Sequence, residues 1–413
     1  MRNSGLLWIL MAIMLMMDIY IFQVIRSLTQ QASPKVRLVV TIIYWLVAIA
    51  ALAVMLAIPY LNEQNFSRTA RTYLFAILVG LFFSQLVASV FFLVDDIRRG
   101  ITWVVQKLQH RSPDSGPGEG ISRSVFLSWL GIGLGGGLMA TLVYGFSNKY
   151  NYQLVRKKLV FSNVPGSFKG LKIIHISDIH AGSFTDKAAV LKGVQKIMNE
   201  KPDLILFTGD LVNDRATEMD DYMEIFSQLK APLGVYSTLG NHDYGDYVAW
   251  ESASVKHSNL ERLKEIHGEL GWKLLMNENV SLEKNGEQIA LIGIENWSAK
   301  GNFPKYGRLN EAYKGTAHLP FKILMSHDPS HWMAEVQEQY KDIDLMLAGH
   351  THGMQFGVEV PGFRWSPVQY MYKQWAGLYE KENQKLYVNR GFGFIGYPGR
   401  VGILPEITLL EIA

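Results

Sequence analysis

The apolar positions of this chain follow one rhythm before Tyr150 and another after it. In the first part they form four long runs, at residues 5–25, 38–58, 72–94 and 124–146. Asp18 is the only charge inside them, Pro59 closes the second, and Asp95-Asp96 ends the third. A helix of about 20 apolar residues crosses the hydrocarbon of a bilayer. The pattern therefore predicts an all-α transmembrane region of four helices within residues 1–150. A secretory leader is the rival reading of the first run, but the run is long and no small-x-small cleavage site follows it cleanly. Asp18 reads as a residue paired inside the bundle or lying near a headgroup. The glycines at 131, 133, 135, 136 and 137 read as close helix packing. Residues 101–110 read as a short interfacial helix, followed by a Ser/Pro/Gly stretch at 112–120.

Beyond Tyr150, short buried-strand patterns alternate with amphipathic helical ones. Strands are expected at 171–177, 204–208, 235–239, 288–294, 321–326, 345–348, 385–388 and 407–412. Helices are expected at 187–200, 219–229 and 259–270. Such alternation predicts sheets flanked by helices in one domain over 151–413. A barrel of eight strand–helix units is the rival, disfavoured by a helix-poor tail and the lack of eight regular units.

Composition narrows the chemistry. There is no Cys, which excludes disulfides, thiolate metal sites and Cys nucleophiles. Lys and Arg outnumber Asp and Glu by 12 to 6 through Lys149, against 28 to 31 after it. Neither part has the clustered basic footprint of a nucleic-acid binder, and nothing implies a protein partner. The loops after the first and third spans hold eight Lys/Arg, and the opposite side holds seven. The larger basic group, in the third loop, places that loop in the cytoplasm and the C-terminal domain outside.

Ten of the eleven His follow Tyr150, and the expected strands end on metal-competent side chains. The blocks are Asp178-Ile179-His180, Gly209-Asp210, Gly240-Asn241-His242-Asp243, His327 and Gly349-His350-Thr351-His352. Carboxylates and imidazoles at the carboxyl ends of successive strands suit an open-sheet site. They also suit Mn, Mg, Zn or Fe. Any one of these residues alone would more often be a cap, a turn or a surface group. His175 reads as a packed histidine, and His257, His267 and His318 as surface residues.

Taken in order, the five blocks closely resemble the calcineurin-like metallophosphoesterase family, and within it a membrane-associated bacterial phosphodiesterase group. The ending from Arg390-Gly391 to Pro405-Glu406-Ile407-Thr408 carries the same likeness. The resemblance covers about residues 171–412. It implies a four-layer α/β sandwich and two divalent ions, Mn foremost. Asp178, His180 and His352 would hold one ion, Asn241, His327 and His350 the other, and Asp210 both. His242 would stay off the metals and face the phosphoryl oxygens, with Asp243 orienting it or holding the turn. Two ions about 3.5 to 4 Å apart can clamp an in-line displacement from both ends.

The substrate this implies is a phosphodiester or pyrophosphate in a membrane lipid or lipid-linked compound, met at the bilayer of a bacterial cell membrane. A tethered hydrolase for soluble substrates and a non-catalytic membrane binding protein are the alternatives. His331, Trp365, Trp375, Arg390 and Arg400 are candidates to touch substrate. Phe356 packs the sheets, while the ring-rich stretch at 365–379 reads as a rim dipping into the lipid interface.

Overall fold

The computed structural model describes residues 4–60, 66–108, 123–301, 303 and 305–413. His110 and the stretch at 112–120 lie outside them. The chain divides into two compact units, Met1–Tyr144 and Gly145–Ala413.

The first unit is built on α1 (Ser4–Leu28), α2 (Pro34–Ala57), α3 (Arg68–Leu108) and α4 (Arg123–Gly145). All four are long and apolar enough to cross a membrane. The Ser33 side chain caps α2, and Pro34 opens it without losing a needed donor. Helix α3 runs unbroken for 41 residues past Asp95-Asp96, so residues 101–108 continue it instead of forming the expected separate interfacial helix. The acidic pair stays helical because Arg98 and Arg99 lie one turn on, at 2.8 and 3.2 Å from Asp95. Asp18 is buried and accepts hydrogen bonds from Gln85 Nε2 (2.5 Å) and the Tyr44 hydroxyl (3.4 Å). Gly131 and Gly135 serve close packing, since a Cβ would meet Phe92 at 2.8 Å and the Ser84 carbonyl at 2.5 Å, respectively.

The second unit holds two six-stranded sheets. The first contains β1 (Gln153–Leu159), β2 (Leu171–Ile176), β3 (Leu204–Phe207), β4 (Val235–Ser237), β5 (Lys273–Leu274) and β14 (Glu406–Ile412), in the order β1-β14-β2-β3-β4-β5. The second contains β6 (Glu278–Lys284), β7 (Glu287–Gly293), β8 (Lys322–Met325), β9 (Leu345–Ala348), β12 (Gly377–Lys381) and β13 (Gln384–Val388), in the order β12-β13-β9-β8-β7-β6. A separate ribbon pairs β10 (Val358–Val360) with β11 (Phe363–Trp365).

Alternation along the strands builds the layers. Ile173, Leu204 and Leu206 face Leu291, Ile323 and Leu345 in a core between the sheets. Their neighbours Ile174, Ile205 and Phe207 face outward onto Val190, Val194 and Leu263 of α5 (Lys187–Asn199) and α7 (Ala253–Glu269). On the far side Ile292, Leu324 and Met346 pack against Trp332 and Val336. The result is the expected four-layer α/β sandwich.

Details differ from expectation. The helix expected at 219–229 contracts to the single turn α6 (Met223–Phe226). Helix α7 starts at Ala253 rather than 259, because the Ser252 side chain caps it there. Strands β1, β5, β6, β10, β11 and β12 come in addition to the expected set. β1 and β6 are edge strands with many exposed polar residues, so their apolar signal is weak.

Candidate metal centre

β2, β3 and β4 run parallel in one sheet, β8 and β9 in the other, and each leads into one of the five blocks. The turns beyond them are sharp. Asp178, His180, Asp210, His350 and His352 all have left-handed backbones, with φ between 49° and 69°. Each such residue costs on the order of 1 kcal/mol. Cross-links between the turns hold them there: Asp178 N–H donates to the Gly209 carbonyl (2.9 Å), and His180 N–H to that of Asp210 (3.1 Å). Gly240 and Gly349 are needed for space. A Cβ on Gly240 would stand 2.2 Å from Asp210 Oδ1, and one on Gly349 2.2 Å from Asp178 Oδ2.

Two groups of metal-competent side chains result, Asp178/His180/His352 and Asp210/His327/His350, each with ligand atoms within 4.8 Å of one another. His180 Nε2 and His352 Nε2 face each other at 3.0 Å, with Asp178 Oδ1 3.2 Å from the latter. Asp210 Oδ2 lies between the groups, 3.5 Å from His180 Nε2 and 3.1 Å from His327 Nε2. The Asn241 amide oxygen joins the second group, 2.8 Å from His350 Nδ1.

His327 tests whether these donors fit cations. Its Nδ1 lies 2.7 Å from the Thr208 carbonyl and therefore carries the hydrogen. Its buried Nε2 then faces Asp210 Oδ2 at 3.1 Å, where either a proton or a cation must lie between the two atoms. Two lone pairs at this distance call for a positive charge between them. Burial opposes a proton on His327, yet the Asp210 carboxylate outweighs it and lifts the pKa to about 10. Burial, aided by the neighbouring His242 and His352, holds His180 well below the ordinary imidazole range, which keeps it a neutral donor. The set fits divalent cations.

His242 stands apart from both groups. Its Nδ1–H points at the Asn213 carbonyl (2.9 Å), which leaves Nε2 free. Its ring is edge-on to His180 at 5.0 Å. Asp243 does not orient this imidazole. Its buried carboxylate instead accepts the backbone N–H groups of Asp210, Leu211 and Gly240, each at 2.8 Å, and of Val212 at 3.3 Å, so it holds the turn. Burial and the Asp210 charge push its pKa up to about 7, against the pull of those backbone donors.

Four candidate substrate contacts are buried or paired. His331 is buried, with Nδ1 3.0 Å from Ser326 Oγ and Nε2 3.2 Å from Glu335. Arg390 is engaged by Glu406 and Glu359. Arg400 is fully buried beneath the site, donating to the carbonyls of His352, Arg390, Gly391 and Gly393. Trp375 is 4% exposed and packs with Val368, Tyr372 and Ile403. Trp365 is half-buried on the ribbon. His267, expected at the surface, is buried with Nδ1 2.9 Å from Ser237 Oγ.

Several supports escape a reading of the sequence. The Tyr372 hydroxyl sits 2.9 Å from His350 Nε2 and donates to Asp328 (3.1 Å), while the Tyr247 hydroxyl accepts from the Asn241 amide (2.8 Å). Only Asp328, directly after His327, has a sequence signal. Tyr372 and Tyr247 reach the site through tertiary packing.

Comparison with known proteins agrees with this geometry. The family described as "Probable Calcineurin-like phosphoesterase, transmembrane domain" matches residues 1–149, and "Calcineurin-like phosphoesterase" matches residues 171–354. A zebrafish "Transmembrane protein with metallophosphoesterase domain" is 29% identical over 274 residues, 64% of this chain and 59% of the relative. The chain thus spans less than two thirds of that relative. Phosphodiesterase YaeI of Escherichia coli is 28% identical over 262 residues, 63% of this chain and 88% of the relative. "UDP-2,3-diacylglucosamine pyrophosphatase LpxG" of Chlamydia muridarum is 27% identical over 275 residues, 54% of this chain and 78% of the relative. With its strand-end histidines and aspartates behind four membrane-length helices, this chain belongs to the calcineurin-like phosphoesterase family, in a form that carries a transmembrane domain.

Proposed function

We propose that this protein hydrolyses a phosphodiester or pyrophosphate bond in a membrane lipid or lipid-linked substrate, at a centre holding two divalent cations. The observation that carries this reading is Asp210 Oδ2 between two histidine-rich groups. Asp178, His180 and His352 would hold the first cation, Asn241, His327 and His350 the second, and Asp210 both. Mn suits these donors, as do Mg, Zn and Fe. When bound, the cations supply Lewis acidity to the phosphoryl group and lower the pKa of water.

The chain's own residues would do the rest. His242, fixed by the Asn213 carbonyl, turns Nε2 away from its backbone anchor, where its proton can serve the leaving oxygen. Its backbone N–H donates to Asp210 Oδ1 at 2.8 Å, which ties His242 to the carboxylate that would hold both cations. Asp243 fixes the Asp210 turn, Arg400 props the carbonyl of His352, and Tyr372 with Asp328 orients His350.

The lipid part rests on the four membrane-length helices and on the names of the Escherichia and Chlamydia relatives, a phosphodiesterase and a UDP-2,3-diacylglucosamine pyrophosphatase. The basic residues of the third loop favour the catalytic unit outside the cytoplasm, where envelope lipids rather than nucleotide-linked ones are in reach.

The test is full-length protein in detergent, analysed for metal and assayed on a bis-aryl phosphodiester and on phospholipid and lipid-pyrophosphate mixed micelles. Two ions per chain with turnover of a lipid are expected. A metal-loaded protein inactive on all three substrates would overturn the hydrolase, and activity on the soluble ester alone would overturn the lipid assignment. A reporter fused after Ala413 reads the side of the membrane.

A further inference from the structure

The described surface of the second unit exposes eleven large apolar side chains. Five are scattered singly, which needs no explanation. The other six, Met354, Val358, Val360, Phe363, Tyr370 and Met371, fall within residues 354–371, starting two positions after His352.

The β10–β11 ribbon shows why this is not chance exposure. Its register pairs Val358 with Trp365, Glu359 with Arg364 and Val360 with Phe363. Alternation therefore puts Val358, Val360, Phe363 and Trp365 on one face and Glu359 and Arg364 on the other. The charged face is the one tied to the rest of the unit, although Glu359 itself stays exposed. Glu359 pairs with Arg390 Nη2 (2.5 Å), and Arg364 donates to the Ala376 carbonyl (2.5 Å) while lying 4.9 Å over the Trp375 ring. The apolar face is turned outward, with Val358 45%, Val360 52% and Phe363 57% exposed. A ribbon bathed in water buries its apolar face and solvates its charges. This one leaves Val358, Val360 and Phe363 exposed together, as a surface meeting an apolar medium would.

Its attachment says which medium. The chain enters this unit at Gly145, the last residue of α4. The Gly145 carbonyl accepts the N–H of Arg400 (2.9 Å). The next residue, Val401, bridges Phe356 and accepts the N–H of Gly357 (2.9 Å), at the root of β10. Consecutive residues thus bond to Gly145, the first residue of this unit, and to the base of the ribbon. With strands of three residues, the ribbon extends only about 10 Å beyond its base. Tyr370, with Lys373 exposed nearby, adds the aromatic and cationic mixture favoured at headgroup level.

We propose that the β10–β11 ribbon, with Tyr370 and Met371, is an interfacial docking surface that seats the catalytic unit on the lipid bilayer beside the metal centre. The proposal requires membrane anchoring and does not depend on what the centre hydrolyses.

The absence of Cys makes a direct test available, because one introduced thiol is the only labelling site. Full-length Val360→Cys and Phe363→Cys variants, and Ser281→Cys as control, are labelled with an environment-sensitive fluorophore in phospholipid nanodiscs. Ser281 is exposed on β6, at the sheet edge opposite β12. Quenching by a doxyl-labelled lipid is compared with quenching by aqueous iodide. Lipid quenching at least threefold stronger at the ribbon than at Ser281, with iodide quenching reduced by a similar factor, is expected. Ribbon labels as open to iodide as the control would overturn the proposal. So would labels shielded from both quenchers, which would mean cover by a second copy or another protein. With the label at Met371→Cys, adding Val360→Ser and Phe363→Ser should reduce lipid quenching by half or more, and no change would also overturn it. Because no readout uses turnover, a protein that docks but proves inactive on lipids separates this inference from the proposed function.

Discussion

Asp210 Oδ2 stands 3.1 Å from His327 Nε2, a buried carboxylate oxygen facing a buried imidazole nitrogen. The His327 hydrogen is committed at Nδ1 to the Thr208 carbonyl, so the pair is stable only with a positive charge between its members. The same oxygen faces His180 on its other side.

Asp210→Asn should therefore disturb both cation sites at once. Loss of turnover by more than about 100-fold is expected, beyond the 10–100-fold typical of residues behind the ligands. Elemental analysis should show less than two ions per chain. A variant that keeps two tightly held ions and full turnover would refute the bridging role.

His242→Ala should leave metal content near wild type and lower turnover by about 100- to 10,000-fold, the usual worth of a positioned acid. The loss should shrink on esters with acidic leaving groups, which need little protonation. Equal losses across leaving groups would show that His242 stabilises charge without donating a proton. Depleted metal would make it a ligand.

Asp243→Asn tests stability, since four backbone N–H groups converge on this carboxylate. An amide nitrogen must point at one or more of them, leaving buried donors unsatisfied at about 1–3 kcal/mol. The thermal midpoint should fall by about 5 °C. A midpoint equal to wild type would show that the turn holds without it.

His267 gives a pH prediction away from the centre. Burial between Phe207 and Trp272 pushes its pKa down to about 3. Below its unfolded value of about 6.5 the unfolded chain takes up a proton that the folded one refuses, so stability falls as pH falls from 6.5 towards 3. By pH 5 the loss is about 2 kcal/mol. His267→Gln should flatten the part of the melting-temperature profile between pH 7 and 5, and an unchanged slope would assign it to other groups.

Much of this is legible in the sequence. Apolar runs of membrane length predict helices, and α1, α2 and α4 lie close to their expected limits. The inner strands β2, β3, β8 and β9 are buried on both faces, so their apolar runs identify them wherever they pack. The blocks at their ends name the side chains that stand together in the fold, because parallel neighbouring strands deliver their C-terminal residues to one edge of a sheet.

What only the tertiary structure decided has a common physical cause: it depends on partners distant along the chain. β1 is a strand because β14, some 250 residues later, pairs with it, Gln153 opposite Glu406. Hydrophobicity put rings between Phe356 and Tyr379 without saying which way each would face. Packing turned Trp375 into a small core and left Phe363 and Tyr370 outside. The left-handed backbones of Asp178, His180, Asp210, His350 and His352 are set by hydrogen bonds between turns from different strands. Local preference disfavours that conformation for every one of these residues, so composition determined which groups could bind cations, parallel strands brought them to one edge, and the cross-linked turns aimed them at one another.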